Sequence, residues 1–342
     1  MAEKKDFQQI QDIGFNSLID KFKDYTGTKQ QNVVKGIGDD TSVTSVSGDD
    51  LLCTTTEIFL EGVHFDLTYT PFHHLGYKLT TAAVSDIYAM NAKPFELLVS
   101  IAIPNKYSVQ MMEQLYKGVD AACKDYGVEV AGGDTTASHR ILAISVTVLG
   151  KVEKENIVYR NSAKKDDIIC VTGDLGGALA GLRILLREKE NWSDEDGNMF
   201  QPDLEEYQYV VQRQLVPEAR QDLVHALNEI NIKPTSMMDL SQGLIADLRS
   251  LLKASGKGAT IYSPAIPISF ETRKVADEMQ EDVDRYAFYG GEDYEMLFTL
   301  QEPLVEKLKA EFEDFSVIGK IGDAEQQLTV NTGEEKSFKI EI

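Results

Sequence analysis

The stretch AGGDTTAS at residues 131–138 sets an acid and two threonines directly behind a glycine pair. Glycine-rich turns that open onto a ligand usually cradle phosphate with backbone N–H groups, and phosphate is an anion. An aspartate at such a turn therefore calls for a cation between protein and ligand. The same pairing of glycine with acid recurs in GIGDD at 36–40, TGDLGG at 172–177 and YGGEDYE at 289–295. Neither G-x-x-x-x-G-K-[ST] nor G-x-G-x-x-G occurs, so the two common nucleotide loops are absent from the sequence.

Around these turns, strand-like and helix-like segments alternate. Periodicity predicts helices over 6–22, 74–94 and 107–127, the last with Gly127 as its cap, and strands over 51–60, 95–104, VEVAGGDTT and 141–152. After about Gly150 the pattern restarts. A strand at 166–174 feeds a helix with Leu179, Leu182, Leu185 and Leu186 on one side. Helices follow at 217–230, 241–256 and 303–315, with strands at 259–263 and 294–300, while the acidic stretch 191–206 reads as a surface loop. The 342 residues are long for one core. The expectation is an α/β (α+β) protein of two domains, 1–150 and 151–342.

Composition narrows the function. With 34 basic against 56 acidic residues the net charge is −22, which argues against a nucleic-acid partner. It also means that an anionic substrate needs a cation to shield it from the protein's own field. No stretch approaches the roughly 20 apolar residues of a membrane span. MAEKKDFQQI has no apolar signal core, and Cys53, Cys123 and Cys170 stand far apart among apolar neighbours. A cytoplasmic protein with buried thiols is expected.

Six acids stand at strand or helix ends: Asp40, Glu57, Asp86, Asp134, Asp239 and Glu292. Asp86 is the most telling, because it falls on the apolar side of its helix, where a carboxylate needs a partner or a metal. Asp39 and Asp40 are adjacent and repel one another, although Gly-Asp also makes ordinary turns. Glu57 follows Thr54, Thr55 and Thr56, and EGVHF then supplies Glu61 and His64. Ser241 stands where it could cap the helix after Asp239. Oxygen ligands of this kind suit Mg²⁺ held between carboxylates and substrate phosphates.

The motifs GIGDDTSV, EGVHF, VSDIYAMNAKP, GGDTT, RNSAKKDD, DLSQGLIADL and GGEDYEMLF occur in that order between about residues 36 and 322. Together they resemble the thiamine-monophosphate kinases of the aminoimidazole ribonucleotide synthetase-like ATP-binding superfamily. That resemblance implies a two-domain fold whose N-terminal sheets pair across a homodimer, with a C-terminal α/β domain. It implies direct, in-line transfer of phosphate from ATP to thiamine monophosphate with several Mg²⁺. By position, Asp40, Thr55, Thr56, Glu57, Asp86, Asp134 and Asp239 match the metal shell. Gly133, Asp134, Arg160 and Ser241 match ATP contacts, and His64 and Glu292 match the acceptor side.

The chain departs from the pattern at three places. Glu57 and Gln242 each stand where the family usually has aspartate, and the aromatic C-terminal tail is altered, leaving Phe338 in KSFKIEI as the candidate for stacking on thiamine. Gln242 removes a negative charge from a presumed metal site. Two readings follow: a working kinase with an adapted metal shell, or an ATP-binding relative with lost or altered catalysis and a regulatory role.

Overall fold

Two mixed sheets with helices between and beside them organise the chain in a computed structural model that describes residues 10–26, 30–192, 202–333 and 336–342. The first sheet is built from β1 (Val33–Lys35), β2 (Ser42–Ser47), β3 (Asp50–Leu60), β4 (Lys93–Pro104), β5 (Glu129–Ser138) and β6 (Ala143–Glu153), in the order β1-β2-β3-β6-β4-β5. The second takes β7 (Ile168–Thr172), β8 (Ser236–Asp239), β9 (Gly258–Tyr262), β10 (Met296–Leu300), β11 (Phe315–Gly322), β12 (Leu328–Gly333) and β13 (Lys336–Ile340), ordered β13-β12-β9-β11-β7-β10-β8. Among the described strands, only the β4–β5 and β9–β12 pairs are parallel. The expected α/β (α+β) class is found, with antiparallel pairing dominant.

Helices α1 (Ile10–Tyr25), α2 (Phe72–Ala89) and α3 (Val109–Tyr126) accompany the first sheet. Helices α4 (Gly177–Asn191), α5 (Gln208–Leu215), α6 (Gln221–Glu229), α7 (Leu244–Ser255), α8 (Phe270–Met279), α9 (Val283–Tyr289) and α10 (Glu302–Lys309) accompany the second. Gly127 caps α3 in the left-handed conformation, as expected. Short segments without a clear period, among them α5, α8, α9 and β11–β13, were not foreseen. Residues 6–9 of the first expected helix and 193–201 of the expected loop lie outside the described residues.

AGGDTTAS is not a turn. It runs inside β5, the exposed edge of the first sheet. The glycines let β5 lie close against β4 at a bulge beside Leu97 and Leu98. Gly133 has φ 152, and a Cβ there would stand 1.8 Å from Val99 O. The residue type answers a steric demand between two strands rather than the curvature of a phosphate loop.

Helix α2 is the hub. Every residue from Lys78 to Ser85 is buried, because the helix is enclosed by β3 and β6 on one side, β8 on another and α3 along its flank. A single apolar cluster runs through it, from Val43, Leu97 and Val146 past Leu79 and Ile87 to Met237 and Phe298 in the second sheet. Two glycines permit the α2–α3 approach: a Cβ on Gly76 would lie 2.0 Å from Leu115 O, and one on Gly118 1.9 Å from His73 O. Gly118→Ala is therefore expected to lower stability by about 1–3 kcal/mol through overpacking, read as a shift in the urea midpoint. An unchanged midpoint would show that the helices part without cost.

Candidate active site

Three elements bring carboxylates to one place. Asp40 comes from the loop after β1, Asp86 from the last turn of α2 and Asp239 from the end of β8. One oxygen of each lies within 4.8 Å of the others. Glu57 approaches Asp86 from the inner face of β3, and Thr55 Oγ1 donates to Asp86 Oδ2 at 2.5 Å. On the far side, Arg160 pairs with Asp40 and, at 3.5 Å, with Asp39, which also meets Lys35 at 3.1 Å.

Burial and mutual repulsion shape the electrostatics. Burial pushes Asp40 up to about 7 even with Arg160 opposing it. Asp239 is pushed up to about 6 by burial, against the hydroxyls of Ser85 and Ser241 and the charge of Arg160. Asp86 rises well above the carboxylate range through burial, then through repulsion from Asp239, Glu57 and Asp40. Burial raises Glu57 as well. Asp40 Oδ2, Asp239 Oδ2 and Ser85 Oγ are buried with no hydrogen-bond partner among the described residues. Unpartnered hard oxygens in a buried acidic cluster fit a divalent cation such as Mg²⁺, which offsets both the repulsion and the lost hydration.

The remaining candidates divide. His64 and Glu292 line one cavity of about 410 Å³, with Lys78, Tyr69 and the α4 side chains Leu179, Leu182 and Leu186. Ser241 lies between this cavity and Asp239, its carbonyl accepting from Glu292 N at 2.9 Å. Thr56 and Asp134 are not brought to the cluster. Strand alternation puts both on the outer face of the first sheet, where Thr56 meets Thr147 at 2.9 Å and Asp134 aligns with Ser100 and Ser145. Adjacent threonine side chains on a strand point to opposite faces, and Asp134 and Gly133 stand three strands from Glu57, roughly 14 Å. Phe338 is placed elsewhere altogether. On β13 it pairs with Val330 of β12, six strands from β8 and so roughly 29 Å away, because the C-terminal segment is used to extend the second sheet.

Several residues at the site escaped the sequence reading. Asp247 Oδ2 accepts from Gln242 N (3.0 Å) and Gly243 N (3.1 Å), shaping the loop that carries Ser241. Asp293 accepts from Gly176 N and Ala178 N, and Glu295 is held by Arg213 and Arg220, each at 2.9 Å. The acids of GGEDYE thus point three ways. Lys78 carried the one signal available beforehand, a lysine in an apolar helical stretch two turns before Asp86.

Residues 38–152 match the model of the AIR synthase related protein, N-terminal domain, and residues 164–331 match its C-terminal domain. Thiamine-monophosphate kinase of Aquifex aeolicus is 35% identical over 85% of this chain and 87% of its own length. That of Bacillus subtilis is 34% identical over 81% of this chain and 80% of its own. The structure of AaThiL complexed with AMPPCP and TMP superposes with a TM-score of 0.81 at 31% identity, covering 98% of this chain and 99% of that one. With two domain models in sequence and relatives of this identity along most of its length, the chain belongs to the thiamine-monophosphate kinase family of AIR synthase related proteins.

Proposed function

We propose that the chain transfers the γ-phosphoryl group of ATP to thiamine monophosphate, giving ADP and thiamine diphosphate. The observation that carries this reading is the meeting of Asp40, Asp86 and Asp239, with buried oxygens left unpartnered, beside the His64–Glu292 cavity in a chain of this family. A relative solved with AMPPCP and TMP supports both substrates. Asp40, Thr55, Glu57, Asp86 and Asp239 would hold Mg²⁺, which supplies neutralisation of the phosphate charges when bound. Arg160 holds Asp40 in place and carries the guanidinium that can turn to a phosphate oxygen. His64 and Glu292 face the acceptor. The acceptor's own terminal phosphate oxygen is the nucleophile, so the protein's task is positioning and charge balance.

We assign Asp134 and Thr56 to the side of the first sheet that a second copy would cover, and Gly133 to the close approach of β5 to β4. Support comes from β5, exposed along nearly its whole length, and from Ile58 on the same outer face. We take the division near residue 150 as the functional one, with the metal-binding acids drawn from both parts. No described helix is long and apolar enough to cross a membrane. Three free, buried cysteines fit the reducing cytoplasm in which we place the enzyme.

Gln242 does not favour the reading of lost catalysis. Its side chain is exposed, and the loop is anchored through its backbone N–H by Asp247. Gln242→Asp is expected to change kcat/KM for thiamine monophosphate by less than about threefold, under 1 kcal/mol; a large rise would mean that the native chain is impaired.

Asp86→Asn is expected to lower kcat by a factor of about 10²–10³ while the protein stays folded, followed as thiamine diphosphate released per unit time. Retained activity would remove the cluster from the reaction.

The raised values of Asp40 and Asp239 also set a pH dependence. Between about pH 4 and 7 the folded chain keeps protons that the unfolded chain has released, so without metal this contribution to stability falls as pH rises through that window. Mg²⁺ competes with those protons, and the Tm gain on adding it should be larger at about pH 8 than at about pH 5. Equal gains would place the ion elsewhere.

A further inference from the structure

Lys78 is the single buried lysine among the described residues, 5% exposed. Its ammonium donates to Glu292 Oε2 and to the Gln214 carbonyl, each at 2.8 Å. With the Gln214 amide turned so that its nitrogen meets Ala178 O, the amide oxygen lies 3.1 Å from the same ammonium. Glu292 is held just as firmly from its backbone, at φ 58 with its N–H on Ser241 O. That is a left-handed conformation that a glutamate adopts only under constraint. The hydrogen bond from Lys78 falls on Oε2 of the Glu292 carboxylate, and Oε1 has no hydrogen bond among the described residues, which leaves it to act within the cavity that the residue lines. Although burial pushes this carboxyl up, the neighbouring Lys78 ammonium outweighs burial and keeps it below the usual range, so it stays anionic.

We propose that Lys78 is a positioning residue for the acceptor, fixing Glu292 so that one carboxylate oxygen is presented to the cationic ring of the substrate. This rests on the kinase reading above. Thiamine monophosphate carries a permanent positive charge on its thiazolium ring and a phosphate on a short chain. The cavity offers matching parts: the apolar wall of Leu179, Leu182 and Leu186 for the rings, and the Glu292 carboxylate for the ring charge. Lys78 stands eight residues before Asp86 on α2, about 12 Å along the axis at the usual helical rise. It is therefore remote from the metal-binding acids and acts through Glu292. By neutralising the far oxygen, it lets a carboxylate survive under burial without leaving the cavity strongly negative. Selectivity then depends on ring charge as well as ring shape.

The test measures binding of two ligands by calorimetry to the wild type, Lys78→Met, Lys78→Arg and Glu292→Gln. The ligands are thiamine monophosphate and its analogue with a neutral thiophene in place of the thiazolium. Wild type is expected to prefer the charged ring by at least about tenfold, a preference that Lys78→Met and Glu292→Gln each erase and Lys78→Arg largely keeps. ATP affinity should stay unchanged in all of them. The double variant should be no worse than either single one. Equal preference in wild type and Lys78→Met would overturn the positioning role while leaving the kinase reading intact. So would parallel losses for ATP and acceptor, which mark a merely structural lysine. Failure of the wild type to bind thiamine monophosphate at all would bring down both. Should Lys78→Met fail to fold, Lys78→Arg and Glu292→Gln still decide the matter.

Discussion

Enclosure of one helix governs this molecule. Because α2 is covered by strands of both sheets and by α3, whatever it carries is carried into the interior, and its position is shared by every layer. Asp86 is the residue that uses this. Near the end of the helix it is met by Asp40 from one sheet's loop and by Asp239 from the other sheet's edge. Three like charges in a poorly hydrated place repel and lose water together, a state that a folded protein tolerates only where a cation or protons compensate. The cost is placed at the junction of the two halves, where neither half could assemble the cluster alone.

The surroundings follow the same logic. Arg160 supplies a fixed positive charge on the side of Asp39 and Asp40, so these two adjacent acids stay in place. Glu295 is shared between Arg213 and Arg220, and Asp293 caps the start of α4, so that the strand after the cavity is tied down at both residues. Glu292, just before them, is anchored separately, by its N–H on Ser241 O and its carboxylate on Lys78. A motif that reads as one acidic block is divided among separate surroundings, and of its three acids Glu292 alone lines the cavity with His64.

Much of this was legible from residue order and chemistry. Asp86 declared itself by standing on an apolar helical face, and Asp40 and Asp239 by ending elements beside glycine or a helix start. Thr56 and Asp134 misled because motif membership says nothing about strand face. The period of two sends Thr55 inward and Thr56 outward, and that division becomes visible only once β3 is paired with β6. Phe338 misled because a chain end is free, in sequence terms, to go anywhere, and a hairpin with β12 is a long-range choice. Asp247 gave no signal, since an acid in the first turn of a helix is ordinary, whereas its grip on the preceding loop depends on a Gly243 conformation that periodicity does not encode.

The close approach of α2 and α3 at Gly76 and Gly118 has a reach beyond packing. Backbone touches backbone there, so α2 is keyed against α3 and cannot slide along its axis. Asp86 is ten residues further along the same rigid rod. A slip of a single residue would carry its carboxylate about 1.5 Å along the axis and rotate it by roughly 100°, out of line with Asp40 and Asp239. The register of Asp86 against Asp40 and Asp239 thus rests on two residues with no side chain and no charge. A lesion at either glycine would present itself as a displaced Asp86 far from where it lies.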